Sequence, residues 1–365
     1  LKLGEMTKQL STNKSYPNAL KVWLYIGLFM LLVQVVVGGI TRLTGSGLSI
    51  TKWEIVTGTL PPFNDTDWNM EFDLYKETPQ YREINEGMSL SDFKFIYFWE
   101  YIHRFWARTM GFVFLLPFIF FWLRGYIDKT LLKGLGSVVL LAVLAASFGW
   151  IMVASGLIER PWVNAYKLAI HLSIAFCVYA ALFWTFLKAF HIRIGSIDIK
   201  YLKMIKVFVI LLAVQIFAGG VMSGMKAGVI YPTWPDMNGE LIPQAIFNTN
   251  EYTVNNFNYY DRNILLPALV HVVHRSVAYI LFFLGLFIGI RLIRESKNIV
   301  IERASWLLII MLITQVLLGI WTVISCYGNI PVLQGVLHQA GALFLLTAAL
   351  YLLFLLGNSS VVDES

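Results

Sequence analysis

The stretch VWLYIGLFMLLVQVVVGGIT occupies residues 22–41 and contains no charged side chain. Its length matches the about 20 predominantly apolar residues that an α-helix needs to cross a bilayer. Further apolar stretches of comparable length follow along the chain, at residues 96–123, 134–153, 166–189, 206–224, 265–290, 304–325 and 331–356. The sequence therefore predicts an all-α integral membrane protein with eight transmembrane helices.

The composition excludes the soluble classes of protein. Hydrophobic residues make up 58% of the 365 residues and charged residues only 14%, whereas soluble domains contain about 25% charged residues. Cys177 and Cys326 lie far apart in sequence, so they indicate no disulfide framework. The net charge of +6 comes without a basic patch interleaved with aromatic residues, which favours basic membrane loops over nucleic-acid binding.

Basic residues concentrate in alternate loops and predict the orientation of the chain. The N-terminal tail 1–21 and the loops after the second, fourth and sixth spans are rich in Lys and Arg, whereas the loop 42–95 is acidic on balance. Because basic loops tend to stay on the cytoplasmic side, the tails 1–21 and 357–365 are both predicted to be cytoplasmic.

The chain repeats one motif in its two halves. Gln34 is followed by Gly38-Gly39, and Gln215 is followed at the same spacing by Gly219-Gly220. A Trp and a Gly then follow in the same register, Trp53 and Gly58 in the first copy and Trp234 and Gly239 in the second, and an aliphatic-Pro step comes shortly after in each, Leu60-Pro61 and Ile242-Pro243. The repeat predicts two pseudo-symmetric four-helix bundles, residues 22–205 and 206–356, related by an axis along the membrane normal. The glycine pairs are interpreted as points of close helix packing.

Four of the six histidines occupy repeat-equivalent positions in the predicted helices. His103 and His171 lie near the outer starts of the second and fourth spans, and His274 and His338 near those of the sixth and eighth. Haem bound within a helix bundle takes its axial ligands from facing helices, so each half is predicted to hold one haem iron. The alternative is that each histidine only hydrogen-bonds a neighbouring helix; zinc is disfavoured because no cysteine or carboxylate cluster completes a tetrahedral set. His191 lies in a basic loop and is predicted to be solvated.

Arginines near the outer ends of the spans favour haem over a bare metal ion. Haem carries two propionates, and guanidinium groups bind carboxylates in a bidentate manner. The candidate propionate contacts are Arg42, Arg104, Arg108 and Arg275. The alternative is that these side chains extend to lipid headgroups.

One position breaks the match between the halves. Glu100 precedes His103 by three residues, and His271 takes this place in the second half. Residues spaced i, i+3 share a helix face, so Glu100 is predicted to face whatever His103 ligates. A carboxylate there can move a proton or stabilise developing positive charge; the alternative is a structural ion pair with Arg104 or Arg42. The asymmetry predicts chemistry in the first half and a permanent redox haem in the second.

A series of motifs runs through the chain from residue 20 to about residue 355. They are Gly38-Gly39-Ile40-Thr41-Arg42-Leu43-Thr44-Gly45-Ser46-Gly47-Leu48-Ser49, Thr57-Gly58-Thr59-Leu60-Pro61-Pro62, Glu100-x-x-His103-Arg104, Thr233-Trp234-Pro235, Met237-Asn238-Gly239, His274-Arg275 and Leu337-His338-Gln339-Ala340-Gly341-Ala342. Together these motifs resemble the haem A synthase family, whose members oxidise one porphyrin methyl group of haem O to a formyl and so supply haem A to terminal oxidases. The resemblance implies that His274 and His338 ligate a resident haem b. It also implies that His103 and His171 hold the substrate haem, with Glu100 essential.

The resemblance has departures and further implications. Some family members carry a cysteine pair in an outer loop, but residues 42–95 contain none, as in the cysteine-free type of bacteria and mitochondria. This implies a bacterial plasma membrane, with the mitochondrial inner membrane as the alternative. A haem O synthase and an unidentified electron donor are candidate partners, and a homo-oligomer is compatible with the sequence. The run 146–150 is less regular than the family pattern, and His271 is an extra histidine without an assigned role.

Two routes to the oxidised methyl group remain open at this point. If His103 and His171 both bind the substrate iron, they leave no coordination position for oxygen. Either one histidine releases the iron during turnover, or the porphyrin loses electrons and water captures a cation stabilised by Glu100.

Two other functions are consistent with part of the pattern. A non-catalytic membrane cytochrome with two bis-histidine haems needs the four histidines but not Glu100 or the long outer loop. A transporter is compatible with parallel repeats, although its helices should be broken near the bilayer centre, and here the histidines cluster near one face.

Overall fold

The computed structural model of the chain describes residues 16–52, 60–158, 160–190 and 199–357. Eight helices in these ranges are long and apolar enough to cross a membrane. They are α1 (Asn18–Leu43), α4 (Leu90–Leu123), α5 (Lys129–Gly156), α6 (Ala165–Ala189), α7 (Ile199–Gly224), α10 (Leu265–Glu295), α11 (Ile299–Ile324) and α12 (Val332–Gly357). Each corresponds to one predicted span, so the prediction of an all-α protein with eight spanning helices is confirmed. Trp53, Gly58, the run 57–59, His191 and most of both tails lie outside the described residues.

Two long loops lie at the same end of the helix array, and we call this the long-loop end. The first connects α1 to α4 and contains α2 (Asp65–Lys76) and α3 (Pro79–Glu83). The second connects α7 to α10 and contains α8 (Ala227–Ile230), α9 (Val254–Asn258) and three 3₁₀ turns at Gln244–Phe247, Thr249–Glu251 and Tyr260–Arg262.

Side-chain caps encoded in the sequence fix where several spans begin. Ser89 and Asp92 form a reciprocal capping box at the start of α4. Asp128 accepts a hydrogen bond from a first-turn N–H of α5 at 2.8 Å. Asn164 does the same for α6 at 3.0 Å. These caps satisfy N–H groups that the first turn of a helix leaves unpaired.

The best-packed apolar core lies at the end of the array opposite the long loops. Its fully buried members come from the first turns of α1, α5, α7 and α11 and the last turns of α6, α10 and α12. They include Leu20, Leu24, Leu135, Leu182, Ile205, Phe208, Ile288, Leu308, Leu352 and Leu355. Dense packing at this end leaves the long-loop end of the array as the place for a cavity.

The helices pack in a pattern that repeats between the halves at most positions. α1 packs on α4 and α6, as α7 packs on α10 and α12. The halves meet where α6 packs on α7 and where α12 packs on α1. In the second half α10 also packs along α11, whereas α4 and α5 make at most isolated contacts along their described lengths.

The first long loop folds back onto the beginning of α4. Phe72 and Tyr75 of α2 form a buried aromatic cluster with Phe93 and Tyr97 of α4. The backbone at Gly45 has φ +70°, a left-handed conformation that glycine adopts at little cost, and its carbonyl accepts a hydrogen bond from the Gln80 amide at 2.9 Å. The loop therefore lies directly above the segment of α4 that carries Glu100 and His103.

Candidate functional site

One large cavity extends between the helices from the long-loop end towards the packed core. Its volume is about 1750 Å³, larger than the roughly 300–1,000 Å³ typical of a site for one drug-sized ligand. All four predicted histidine ligands line it, together with Glu100 and each of the four candidate arginines. The structure thus brings every residue of the predicted site to one space, which has room for more than one large ligand.

The histidine pair of the second half has the spacing that a shared metal ion requires. The ring centroids of His274 and His338 lie 6.4 Å apart, and the ring planes meet at 77°. A metal ion lies about 2 Å from an imidazole nitrogen, and two imidazoles on opposite sides of one ion then have centroids about 6 Å apart. The distance between these two rings is therefore compatible with one iron between them.

The histidine pair of the first half lies at the corresponding place. His103 and His171 line the cavity from α4 and α6, as His274 and His338 line it from α10 and α12. The Nδ1 atom of His171 lies 2.9 Å from the carbonyl oxygen of Ala145. When Nδ1 donates to that oxygen, Nε2 is left with its lone pair available for a metal.

A glycine on a neighbouring helix faces each of the four histidine rings. A side chain added at Gly38 would place its Cβ 3.1 Å from His103 Nε2, and one at Gly219 would lie 3.1 Å from His274 Cε1. The other two helices repeat the arrangement at 3.0 Å and 2.9 Å, with Gly149 against His171 and Gly319 against His338. Each histidine ring therefore occupies the space that a side chain at the facing glycine position would fill.

The two glycines of each pair have different neighbours. The first glycine of each pair faces a histidine, whereas the second faces a helix of the other half. A Cβ at Gly39 would lie 3.1 Å from the Gln339 amide, and one at Gly220 would lie 2.9 Å from the Cα of Ala169. The second glycine of each pair is thus a point of close helix packing, as the sequence predicts. The first glycine instead makes room for a histidine ring.

Several buried polar atoms at the cavity have no partner among the described residues. They are the amide oxygens of Gln34, Gln215 and Gln315, the Nδ1 atom of His274 and the Nε atom of Arg42. Buried polar groups in folded proteins are nearly always hydrogen-bonded. Their grouping around one cavity therefore indicates a polar or metal-containing occupant rather than an apolar one.

Glu100 is almost fully buried and is held by four hydrogen-bond donors. Its Oε2 atom accepts from the Ser49 N–H at 2.7 Å, the Ser49 hydroxyl at 2.7 Å and the Ile50 N–H at 2.9 Å. Its Oε1 atom accepts from Arg104 Nη2 at 2.5 Å. The ion pair with Arg104 that the sequence left open is present, and the one with Arg42 is not found among the described contacts. Oε1 thus accepts one hydrogen bond among the described residues, whereas Oε2 accepts three.

His271 takes the place of Glu100 in the second half and makes the equivalent contact. It is fully buried, and its Nε2 atom accepts from Arg275 Nε at 3.0 Å. The remaining nitrogens of Arg275 donate to the carbonyls of Thr233, Pro235 and Asp236 at 2.5, 3.2 and 2.8 Å. His271, which had no role from the sequence, is thus part of an anchor for the second long loop.

The loop held by Arg275 is further ordered by its own side chains. Asp236 accepts from the Thr233 hydroxyl at 2.6 Å and from the Gly239 N–H at 3.1 Å. These two hydrogen bonds, together with the charge of Arg275, lower the pKa of Asp236. The motif Thr233-Trp234-Pro235 therefore forms a fixed rim of the cavity.

Two cations from different halves lie close to each other at the cavity. Arg42 at the end of α1 donates through Nη2 to the carbonyls of Ser223 and Gly224 in α7, at 3.3 and 3.4 Å. Lys226 also lines the cavity, and burial together with the charge of Arg42 lowers its pKa. The sequence did not single out Lys226, because its loop position has no charged counterpart in the first half.

Comparisons with known proteins identify a family and several relatives to which this chain is similar. The family profile described as "COX15-CtaA: Cytochrome oxidase assembly protein" matches residues 21–350. A "Heme A synthase" of Sinorhizobium medicae is 39% identical over 94% of this chain and 92% of its own length. Proteins with the same name from Methylorubrum populi and Nitrosospira multiformis are 39% and 37% identical, covering 91% and 90% of this chain and 85% and 91% of their own lengths.

Proposed function

The chain belongs to the COX15-CtaA family of cytochrome oxidase assembly proteins, and from this membership we infer that it makes haem A. It is a membrane haem-modifying oxidoreductase that oxidises a porphyrin methyl group of haem O to a formyl. The observation that carries this inference is the identity of 39% over 94% of the chain. The convergence of the four histidines and Glu100 on one cavity supports it independently.

We propose that the second half, residues 206–356, holds a resident haem b between His274 and His338. Their spacing of 6.4 Å and the unpartnered polar atoms beside them are compatible with a bis-histidine haem. Such a haem would supply one-electron transfer. Gly219 and Gly319 make room for the two rings.

The first half, residues 22–205, is proposed to hold haem O between His103 and His171. Glu100 lies one helical turn before His103 on the same helix, so its carboxylate faces the same side of the cavity. Its carboxylate, in which Oε1 accepts the fewer hydrogen bonds, can receive a proton or stabilise positive charge on the porphyrin. This role is common to the two routes, whether a histidine releases the iron or the porphyrin loses electrons.

The arginines differ in how much of each guanidinium is available for a propionate. Arg275 is largely occupied by loop carbonyls, and Arg104 by Glu100 and the Ile50 carbonyl. Arg42 has a buried Nε atom without a partner among the described residues, and it lies beside Lys226. We therefore propose Arg42 and Lys226 as propionate contacts, with Arg104, Arg108 and Arg275 as further cations lining the cavity.

The cellular setting follows from the family and the helices. We propose that the chain spans a bacterial plasma membrane with both termini in the cytoplasm, which leaves the long-loop end outside. A haem O synthase is the proposed source of substrate, and a separate electron donor or acceptor completes the reaction.

The activity is tested in membranes that contain haem O and lack their own haem A synthesis. Expression of this chain is expected to convert a measurable fraction of haem O to haem A, which pigment extraction and chromatography detect. Membranes from cells with an empty vector are the control. A b-type spectrum without any formyl-bearing haem would instead indicate the non-catalytic di-haem cytochrome.

Replacement of Gly219 by valine is expected to reduce the resident haem content by more than half. A Cβ at this position would lie 3.1 Å from His274 Cε1, so the branched side chain displaces the ring from its ligating position. The b-type absorption per mole of purified protein measures the effect. Gly136→Val is the matched control, since a Cβ at Gly136 meets nothing within 4 Å. Equal haem content in the two variants would contradict the proposed role of the glycine.

A further inference from the structure

The two halves differ in the seam between their second and third spanning helices. In the second half α10 and α11 pack along each other, and in the first half α4 and α5 make at most isolated contacts over their described lengths. The other helix pairs within the two halves correspond. The difference is therefore confined to one side of the first half, the side formed by α4 and α5.

The sequence explains why the second seam is closed. Gly285 and Gly289 of α10 face α11, where a Cβ would lie 2.6 Å from Leu312 Cδ2 and 2.7 Å from Ile309 Cγ1. Glycines at such positions let two helices approach closely. The positions of α4 at the same distances from His103 are occupied by Phe114 and Phe118.

The facing helix of the first half does not compensate for these bulky residues. Counted from the glycine that faces the histidine, α5 has Ala142, Ala145 and Ala146 at the cavity. The corresponding positions of α11 are Leu312, Gln315 and Val316. Phe114 instead packs on Trp23 of α1 with ring centroids 4.9 Å apart, so it does not fill the seam between α4 and α5.

The first seam opens the cavity to the outside of the helix array. On α5, Val143 and Trp150 both line the cavity and are 60% and 50% exposed. Ala146 and Ser147 beside them are also exposed and line the cavity. By contrast, every residue through which α11 lines the cavity is buried or half-buried over its fully described length.

We infer that the gap between α4 and α5 is a lateral portal through which the haem substrate passes from the bilayer to His103 and His171, and through which the product leaves. This inference rests on the proposed function. A flat macrocycle can pass edge-on between two helices, and the apolar rim formed by Val143, Ala146 and Trp150 suits its apolar edge. The second half has no such gap between α10 and α11 over their described lengths, so the two seams distinguish an exchanging haem from a resident one.

The portal is tested first by lipid-phase accessibility. In a Cys177→Ser background, single variants Ala146→Cys, Leu140→Cys and Val316→Cys are reacted in vesicles with a bulky apolar maleimide dissolved in the membrane. Leu140 is 70% exposed on α5 and does not line the cavity, whereas Val316 is the counterpart of Ala146 in the second half. We expect Ala146→Cys to react within about threefold of the Leu140→Cys rate, and Val316→Cys at least tenfold more slowly. Equal protection of Ala146→Cys and Val316→Cys would overturn the portal, whatever the activity of the protein.

The second measurement is the rate at which haem O moves from loaded liposomes to the protein, followed by absorbance without turnover. Labelling Ala146→Cys should slow this uptake at least tenfold and leave the resident b-type spectrum unchanged, whereas labelling Leu140→Cys should change neither. Ser147→Cys serves as a second portal variant if Ala146→Cys does not fold. Uptake unaffected by either portal label would overturn the inference. Failure of haem O to bind the unlabelled protein would instead overturn the proposed function, and haem O would then not be the molecule that passes through the portal.

Discussion

Replacement of His274 or His338 by alanine is expected to abolish the b-type absorption of the purified protein, whereas His103→Ala or His171→Ala should retain it. The reason is that each bis-histidine site loses one axial ligand, and only the second half is proposed to carry a permanently bound haem. The visible difference spectrum of each variant, normalised to protein, measures the effect. We expect at least a tenfold loss for the first pair of variants, and at most a twofold change for the second pair.

When haem O binding is measured on the same four variants, the two substitutions in the first half should have the larger effect. His103→Ala and His171→Ala should lose uptake of haem O from liposomes and form no detectable haem A. In a His338→Gly variant, added imidazole should restore part of the b-type spectrum, since the small ligand occupies the space of the missing ring. Equal loss of the b-type signal in all four variants would show that the two halves do not have separate roles in binding the substrate haem and the resident haem.

The sequence predicts the helices well and their packing only in part. The spans follow from length and composition, because about 20 apolar residues without charge have few other stable environments. The correspondence of Gly38 with Gly219 is also readable from spacing, and that of His103 with His274 from the arginine that follows each and from its place near the start of a span. That the first glycine of each pair faces a histidine ring depends on the relative rotation of two helices, which a one-dimensional pattern does not contain.

The residues around Glu100 show a similar limit. Its pairing with Arg104 follows from the i, i+4 spacing on one helix. The three donors from Ser49 and Ile50 come from a loop about 50 residues earlier in the chain, and tertiary packing alone brings them to α4. For Arg275, the position in the sequence predicts a propionate contact. In the structure most of its guanidinium nitrogens instead donate to carbonyls of the second long loop.

The difference between the two seams was present in the sequence but had no meaning without the structure. Phe114 and Phe118 stand where the repeat has Gly285 and Gly289. In a chain with 26 Phe and 27 Gly, such an exchange attracts no notice until the facing helix is known. Sequence repeats thus predict what the halves share, and coordinates are needed to interpret where they differ.

Replacement of Glu100 by glutamine is expected to lower the rate of haem A formation by at least about 100-fold, the lower end of the contribution of a positioned acid–base group. Glutamine has nearly the same shape but no negative charge, so it can neither take up a proton at Oε1 nor stabilise a cation on the porphyrin. Haem O conversion is measured by pigment extraction, and haem O uptake and the resident b-type spectrum are measured on the same preparation. Both of these should stay within about twofold of the unmodified protein.

A chemical role of Glu100 is distinguished from a structural one by its neighbours. Ser49→Ala removes the hydroxyl that donates to Oε2 and leaves both backbone donors and Arg104 in place. If the carboxylate only anchors the loop to α4, Ser49→Ala and Glu100→Gln should both weaken haem O uptake and lower the stability of the protein. The rate at which bound haem O is converted to haem A should then stay unchanged. If its charge acts on the substrate, Ser49→Ala should retain most of the turnover, whereas Glu100→Gln binds haem O and stalls. Unchanged turnover in Glu100→Gln would remove the carboxylate from the chemistry, and the search for the proton acceptor would then move to the other polar groups at the cavity.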